Sequence, residues 1–99
     1  MIVITGTIGV AADSLGAALS AIATLEARTR EEDGCLEYGF WQSPNEPTLL
    51  AVVERWRDAD SLDAHMASAH MAEFLTTVGP MVTSSALDRH DVSATTKLM

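Results

Sequence analysis

Hydrophobic and polar positions alternate or recur in six successive blocks along the chain. Residues 2–8 carry the β-branched run Ile2, Val3, Ile4, Thr5, Thr7 and Ile8, which predicts a strand. Ala11-Ala12-Asp13-Ser14 turns the chain, with Asp13 or Ser14 placed to cap a helix. From 14 to 32, Leu15, Ala18, Leu19, Ile22 and Leu25 recur at helical spacing, and Gly34 suits the C-cap. Residues 35–43 and 48–56 are two apolar stretches around the turn Pro44-Asn45-Glu46-Pro47, which predicts a hairpin. A helix is expected from near Ser61, with a break or recap at Ser68, and Gly79-Pro80 ends it. Residues 82–93 give a last, less regular strand, and 94–99 form a loose or partner-docking tail.

The order strand, helix, strand, strand, helix, strand predicts one α+β domain over residues 1–99. Its form is the ferredoxin-like split β-α-β pattern (βαββαβ), an antiparallel sheet with both helices on one face. The hairpin adds a constraint. Leu50, Val52, Glu54 and Trp56 share one face of the third strand, and Leu49, Ala51, Val53 and Arg55 share the other. On the second strand, Leu36, Tyr38 and Phe40 oppose Cys35, Gly39 and Trp41. Apolar groups on both faces require cover on both, and two helices cover only one. A second copy of the same sheet is the simplest cover, so a homodimer with sheets packed face to face is expected.

Composition narrows the function. The chain has 99 residues, a net charge of −8 and 47% hydrophobic residues. Such a charge repels nucleic-acid phosphates and anionic membranes, and no apolar run approaches the roughly 20 residues that span a bilayer. A single cysteine, Cys35, excludes an internal disulfide and a cysteine-based zinc site. With no visible signal peptide, a cytoplasmic location is expected.

Candidate chemistry gathers between Glu54 and Phe74. His65 and His70 are five residues apart, which on one continuous helix is about 140° of rotation. They therefore do not share a face, no third ligand is evident, and no metal site is expected. His65 falls on the apolar stripe with Leu62 and faces the space between helix and sheet. It reads either as a general base in a small pocket or as a core histidine bonded to Glu54 or a carbonyl. Glu54 interrupts an apolar strand face and needs a partner: His65, an arginine or a helix N-terminus. Trp41, Tyr38, Phe40, Trp56 and Phe74, with the methionines Met66, Met71 and Met81, could line an apolar pocket for a flat aromatic ligand or simply form core. Cys35 reads as a small buried residue, and His90 as structural or exposed.

Three motifs add a resemblance. The segments Glu32-Asp33-Gly34-Cys35-Leu36-Glu37-Tyr38, Glu54-Arg55-Trp56-Arg57-Asp58, and Leu62-Asp63-Ala64-His65-Met66-Ala67-Ser68-Ala69-His70 resemble, in order and spacing, the antibiotic biosynthesis monooxygenase (ABM) family. The resemblance implies a dimeric α/β barrel. It also implies a cofactor-independent monooxygenase that oxidises a quinol-like or phenolic aromatic with O₂, using neither metal nor flavin. On that reading His65 is the proton acceptor, with Glu54 orienting it or a neighbour. His70, Trp56, Trp41, Tyr38, Met66 and Phe74 shape the pocket. A haem-degrading branch uses an asparagine on the first strand and a tryptophan on the second helix. Neither is present here, so haem degradation is disfavoured. A non-catalytic small-ligand-binding or stress-related dimer of the same fold, or a small-molecule isomerase, remains open.

Overall fold

A computed structural model describes residues 1–99. The strands are β1 (Ile2–Val10), β2 (Cys35–Gln42), β3 (Leu49–Trp56) and β4 (Val82–Asp91). The helices are α1 (Leu15–Thr29), α2 (Ala59–Met66) and α3 (Ala69–Val78), with 3-10 turns at Ala12–Ser14 and Gly79–Met81. The strands form one antiparallel sheet in the order β2-β3-β1-β4, the arrangement expected of a ferredoxin-like α+β domain. No helix is long and apolar enough to cross a membrane.

All three helices pack on the face that carries Ile2, Ile8, Leu50, Val52, Trp56 and Tyr38. Alternation explains this. Strand residues two apart share a face, and the register sets Ile2 against Trp56, Ile4 against Glu54 and Ile8 against Leu50. Each apolar position on β1 therefore meets its match on β3. From α1, the buried positions Ala18, Ile22, Leu25 and Thr29 form one stripe that fills the same layer. The opposite face, with Val3, Thr5, Thr7, Ala51 and Val53, has no helix over it.

The second strand departs from simple alternation. The β2–β3 register shifts between Cys35 and Glu37, so Cys35 lies opposite Trp56 and Tyr38 opposite Glu54. The extra residue moves Cys35 onto the core face beside Tyr38 and leaves Leu36 exposed, the reverse of a strict period of two. Burial pushes the Cys35 thiol up, and the nearby Glu32 and Glu54 add to this, which fits an inert cysteine.

The helix ends also differ in detail. Ser14 is the N-cap of α1 but makes no side-chain cap bond. Gly34 is not a C-cap, because α1 ends at Thr29 and the chain turns through Arg30–Asp33 first. Gly34 adopts φ +84° instead, and a Cβ there would collide with Ser61 Oγ. This close approach brings the start of β2 against the start of α2. Arg57 locks the junction: its guanidinium bonds Asp33 at 3.2 and 3.3 Å, and its N–H donates to Gly34 O at 2.8 Å. Asp58 caps α2 by accepting from Ser61 N at 2.8 Å.

The break expected at Ser68 is present and divides the second helical stretch into two helices. Ala67 closes α2, and Ser68 caps α3 by accepting from Met71 N at 3.3 Å. Its hydroxyl also donates to His65 O at 2.6 Å, so one serine ends one helix and begins the next.

One buried polar group has no partner. Thr29 Oγ1, at the C-terminal end of α1, is sealed in the core with nothing to bond. Thr29→Val replaces that hydroxyl with a methyl of similar shape. It should stabilise the fold by about 1 kcal/mol in urea denaturation, and a loss of stability would show that the hydroxyl is satisfied in solution.

Candidate functional site

Two connected hollows form one cleft between the sheet and helices α2 and α3. One holds about 350 Å³ and is lined by Ile8, Val52, Tyr38, Phe40, Phe74 and Leu87, among others. The other holds about 330 Å³ and is lined by Ile4, Leu62, His65, Met66 and Arg89, among others. Glu54, Met71 and Leu87 belong to both, so Glu54 sits where the two meet. The far wall is β4, whose register places Ser85, Leu87 and Arg89 opposite Ile8, Gly6 and Ile4 on this face. Met66, Leu75 and Leu87 stay exposed around the opening.

His65 reaches the cleft from α2 and is only 1% exposed. Its ring is held between Trp56, with centroids 4.8 Å apart, and Tyr38, at 5.2 Å. Its orientation is set by Glu32, in the turn before β2, whose Oε2 accepts from Nδ1 at 2.7 Å. The same oxygen accepts from His70 Nε2 at 3.1 Å. A carboxylate only accepts, so each imidazole donates an N–H to it. Neutral His65 is thereby fixed as the Nδ1–H tautomer, which leaves a free lone pair on Nε2.

Glu54 does not pair with His65, as the sequence reading allowed. Its Oε1 accepts from Trp56 Nε1 at 3.0 Å, two residues along the same strand face. Burial pushes the Glu54 carboxyl up, and the Trp56 bond and the nearby His65 only partly oppose this. Tyr38 is also strongly raised by burial, with Glu54 and Glu32 adding to it, so its hydroxyl stays protonated and can donate.

The expected pocket residues separate accordingly. His65, Glu54, Tyr38, Met66 and Phe74 do line the cleft. Trp56 does not: it is fully buried behind the cleft, where it stacks on His65 and bonds Glu54. His70 lies on the far side of α3, in a groove of about 200 Å³ shared with Arg28 and Glu73. Trp41 lies outside the cleft, on the face that strand alternation gives it. It alternates with Phe40, so it points to the helix-free face, folds over Gly39 and is half exposed. Sequence reasoning missed Glu32, along with Leu75 and Leu87. It also held that the two histidines diverge and lack a third neighbour. The break at Ala67–Ser68 re-aims His70, and Glu32 is that neighbour: the three donor atoms lie within 4.8 Å of one another.

Comparison with known proteins bears on the family and the fold. The family model for antibiotic biosynthesis monooxygenases matches residues 1–77 and stops short of β4. The chain is 30% identical over 74 residues to "Uncharacterized protein sll1783" of Synechocystis, covering 75% of this chain and 50% of that protein. It is 36% identical over 55 residues to "Putative monooxygenase Rv0793" of Mycobacterium tuberculosis, covering 56% of this chain and 54% of that one. The chain thus spans about half the length of the curated relatives it matches. Among solved structures, one from Deinococcus radiodurans superposes with a TM-score of 0.90 at 20% identity, covering 100% of this chain and 99% of its own, which shows a shared fold. The strand and helix order, the three motifs and the match over residues 1–77 agree: the chain belongs to the antibiotic biosynthesis monooxygenase family.

Proposed function

We propose that this protein is a cofactor-independent monooxygenase that oxidises a quinol-like or phenolic aromatic with O₂. The observation that carries the reading is the free Nε2 lone pair of His65 in an apolar cleft, held in place by Glu32 from behind. The cleft volumes fall within the range of small-molecule sites. The largely apolar walls and the exposed rim of Met66, Leu75 and Leu87 suit a flat ring system, and Glu54, Asp63, Asp88 and Arg89 at the His65 end suit polar substituents on it.

His65 takes the proton of a ring hydroxyl, and the electron-rich anion supplies the electrons to O₂. For a quinol the balance is quinol plus O₂ giving hydroxyquinone plus water: one oxygen atom enters the ring and the other leaves as water. All four electrons come from the substrate, so the protein contributes proton transfer, orientation and exclusion of water. Glu54 accepts a hydrogen bond from a second substrate hydroxyl, and Tyr38 donates one to the developing oxygen charge. The rival reading, a binding protein of the same fold, has no need of a base with an open lone pair.

We also propose a homodimer built by the helix-free face of the sheet. Val3, Thr5, Thr7, Ala51 and Val53 lie there, and a second copy would cover them.

Three outcomes are expected. Oxygen uptake with a panel of hydroquinones and anthrones should fall by about 10²- to 10⁴-fold in His65→Ala, while unchanged uptake in a folded variant removes His65 as the base. The Glu54 carboxyl, raised above its ordinary 4.5, gives stability that is complete below that value and lost as pH rises through its folded value. Glu54→Gln keeps the acceptor for Trp56, so it should melt higher than wild type at pH 8, with the gap closing on acidification to pH 4; a gap independent of pH would contradict this. Light scattering should give twice the chain mass for wild type and a monomer for Val53→Asp, whereas a monomeric wild type rejects the dimer.

A further inference from the structure

We infer that Glu32, His65 and His70 form a binding site for one divalent transition-metal ion of the zinc, cobalt or nickel class, set behind the cleft. Glu32 Oε2 lies 2.7 Å from His65 Nδ1 and 3.1 Å from His70 Nε2. Donor atoms around an ion with bonds of about 2.0–2.2 Å stand roughly 2.9–3.4 Å apart, so these separations already approach a coordination shell. Both imidazoles aim at the one carboxylate oxygen. An ion placed near that oxygen meets both nitrogens along directions they already hold, and the glutamate side chain needs to back off by only about 2 Å.

Each donor is held by different structure. Glu32 sits in the turn after α1, its N–H bonded to Thr29 O at 3.0 Å and its neighbour Asp33 clamped by Arg57. His65 is wedged between Trp56 and Tyr38. His70 lies in the first turn of α3, behind the Ser68 cap. Three ligands fixed from three directions lower the ordering cost of binding an ion.

Charge favours a cation as well. Glu32 has no lysine or arginine partner: Arg57 serves Asp33 and Asp58, Arg30 serves Glu26 and the Tyr38 carbonyl, and Arg28 serves Glu73. Glu32 therefore faces only the two imidazoles, with the buried Glu54 as a second carboxylate nearby. Two imidazole nitrogens and one carboxylate oxygen suit borderline transition metals, not Ca²⁺ or Mg²⁺. Remaining coordination positions fill with water from the groove beside Arg28 and Glu73. The ion stands on the far side of His65 from the cleft. One consequence rests on the proposed oxygenase reading: an ion on Nδ1 moves the imidazole proton to Nε2, so metal binding would switch off the base.

The test needs no substrate. Tag-free, chelator-treated full chain is titrated with Zn²⁺ by calorimetry and with Co²⁺ by visible absorption. One ion per chain at roughly micromolar affinity is expected, with cobalt bands typical of nitrogen and oxygen ligands. Glu32→Gln and His70→Ala should each weaken binding by about 100-fold or more, and His90→Ala should leave it unchanged. ¹⁵N spectra of wild type with Zn²⁺ should shift both the His65 and His70 rings, a readout that stands even if a variant fails to fold. The inference is overturned by no saturable binding below about 1 mM, by equal affinity in folded Glu32→Gln and His70→Ala, or by unshifted rings. A protein that binds the ion but consumes no oxygen keeps this inference and loses the oxygenase reading, and the converse result does the opposite.

Discussion

One carboxylate oxygen organises this protein's functional half. Glu32 Oε2 accepts from His65 and from His70, and so ties the turn before β2 to two helices that no continuous backbone hydrogen bonding joins. The break at Ala67–Ser68 would otherwise leave α2 and α3 free to pivot about a serine. With both imidazoles donating to the same atom, the angle between the helices and the face His65 shows to the sheet are fixed together. The contact is shielded: His65 is buried and Glu32 is mostly so, which makes the hydrogen bonds stronger than surface ones.

That arrangement rests on packing beneath it. Trp56 fills the core under His65 and spends its only polar atom on Glu54. Glu54 is thus held in the cleft with no ion-pair partner in contact, and burial outweighs the opposing effects of Trp56 and the nearby His65 to push its carboxyl up. The bulge at Cys35–Glu37 aligns Tyr38 with Glu54 across the strands, so the tyrosine ring reaches the edge of His65. Local irregularities, a bulge and a helix break, are what bring four chemistry-bearing side chains from four segments to one end of the sheet.

Much of the framework was legible in the residues. Alternation sorted the residues of β3 into two faces, but both carry apolar groups, and only the packed structure shows that Leu50, Val52 and Trp56 are the ones that meet the helices. Ser68 signalled the helix break through its capping chemistry. The misplaced groups have physical reasons. A strict period of two put Leu36 beside Tyr38, and no residue type in that stretch announces the extra residue of the bulge. Trp41 was assigned by its aromatic character, while parity with Gly39 sends it to the other face. Glu32 was overlooked because it lies 33 residues from His65 in a turn without periodicity. Its one signal was its place at the head of the Glu32-Asp33-Gly34-Cys35 motif. The pairing of Glu54 with Trp56 needs only two residues on one strand face, and charge-seeking logic pointed instead to histidine or arginine.

The position of β4 has an evolutionary consequence. This strand hydrogen-bonds only to β1 and is exposed along almost its whole length, yet it forms the far wall of the cleft. Ser85, Leu87 and Arg89 can therefore change in size and charge without disturbing the packed layer of Ile22, Leu50 and Trp56. Selection for a new ligand and selection for a folded chain act here on separate sets of residues. A scaffold divided in this way can change the shape and charge of its cleft while its core sequence stays still.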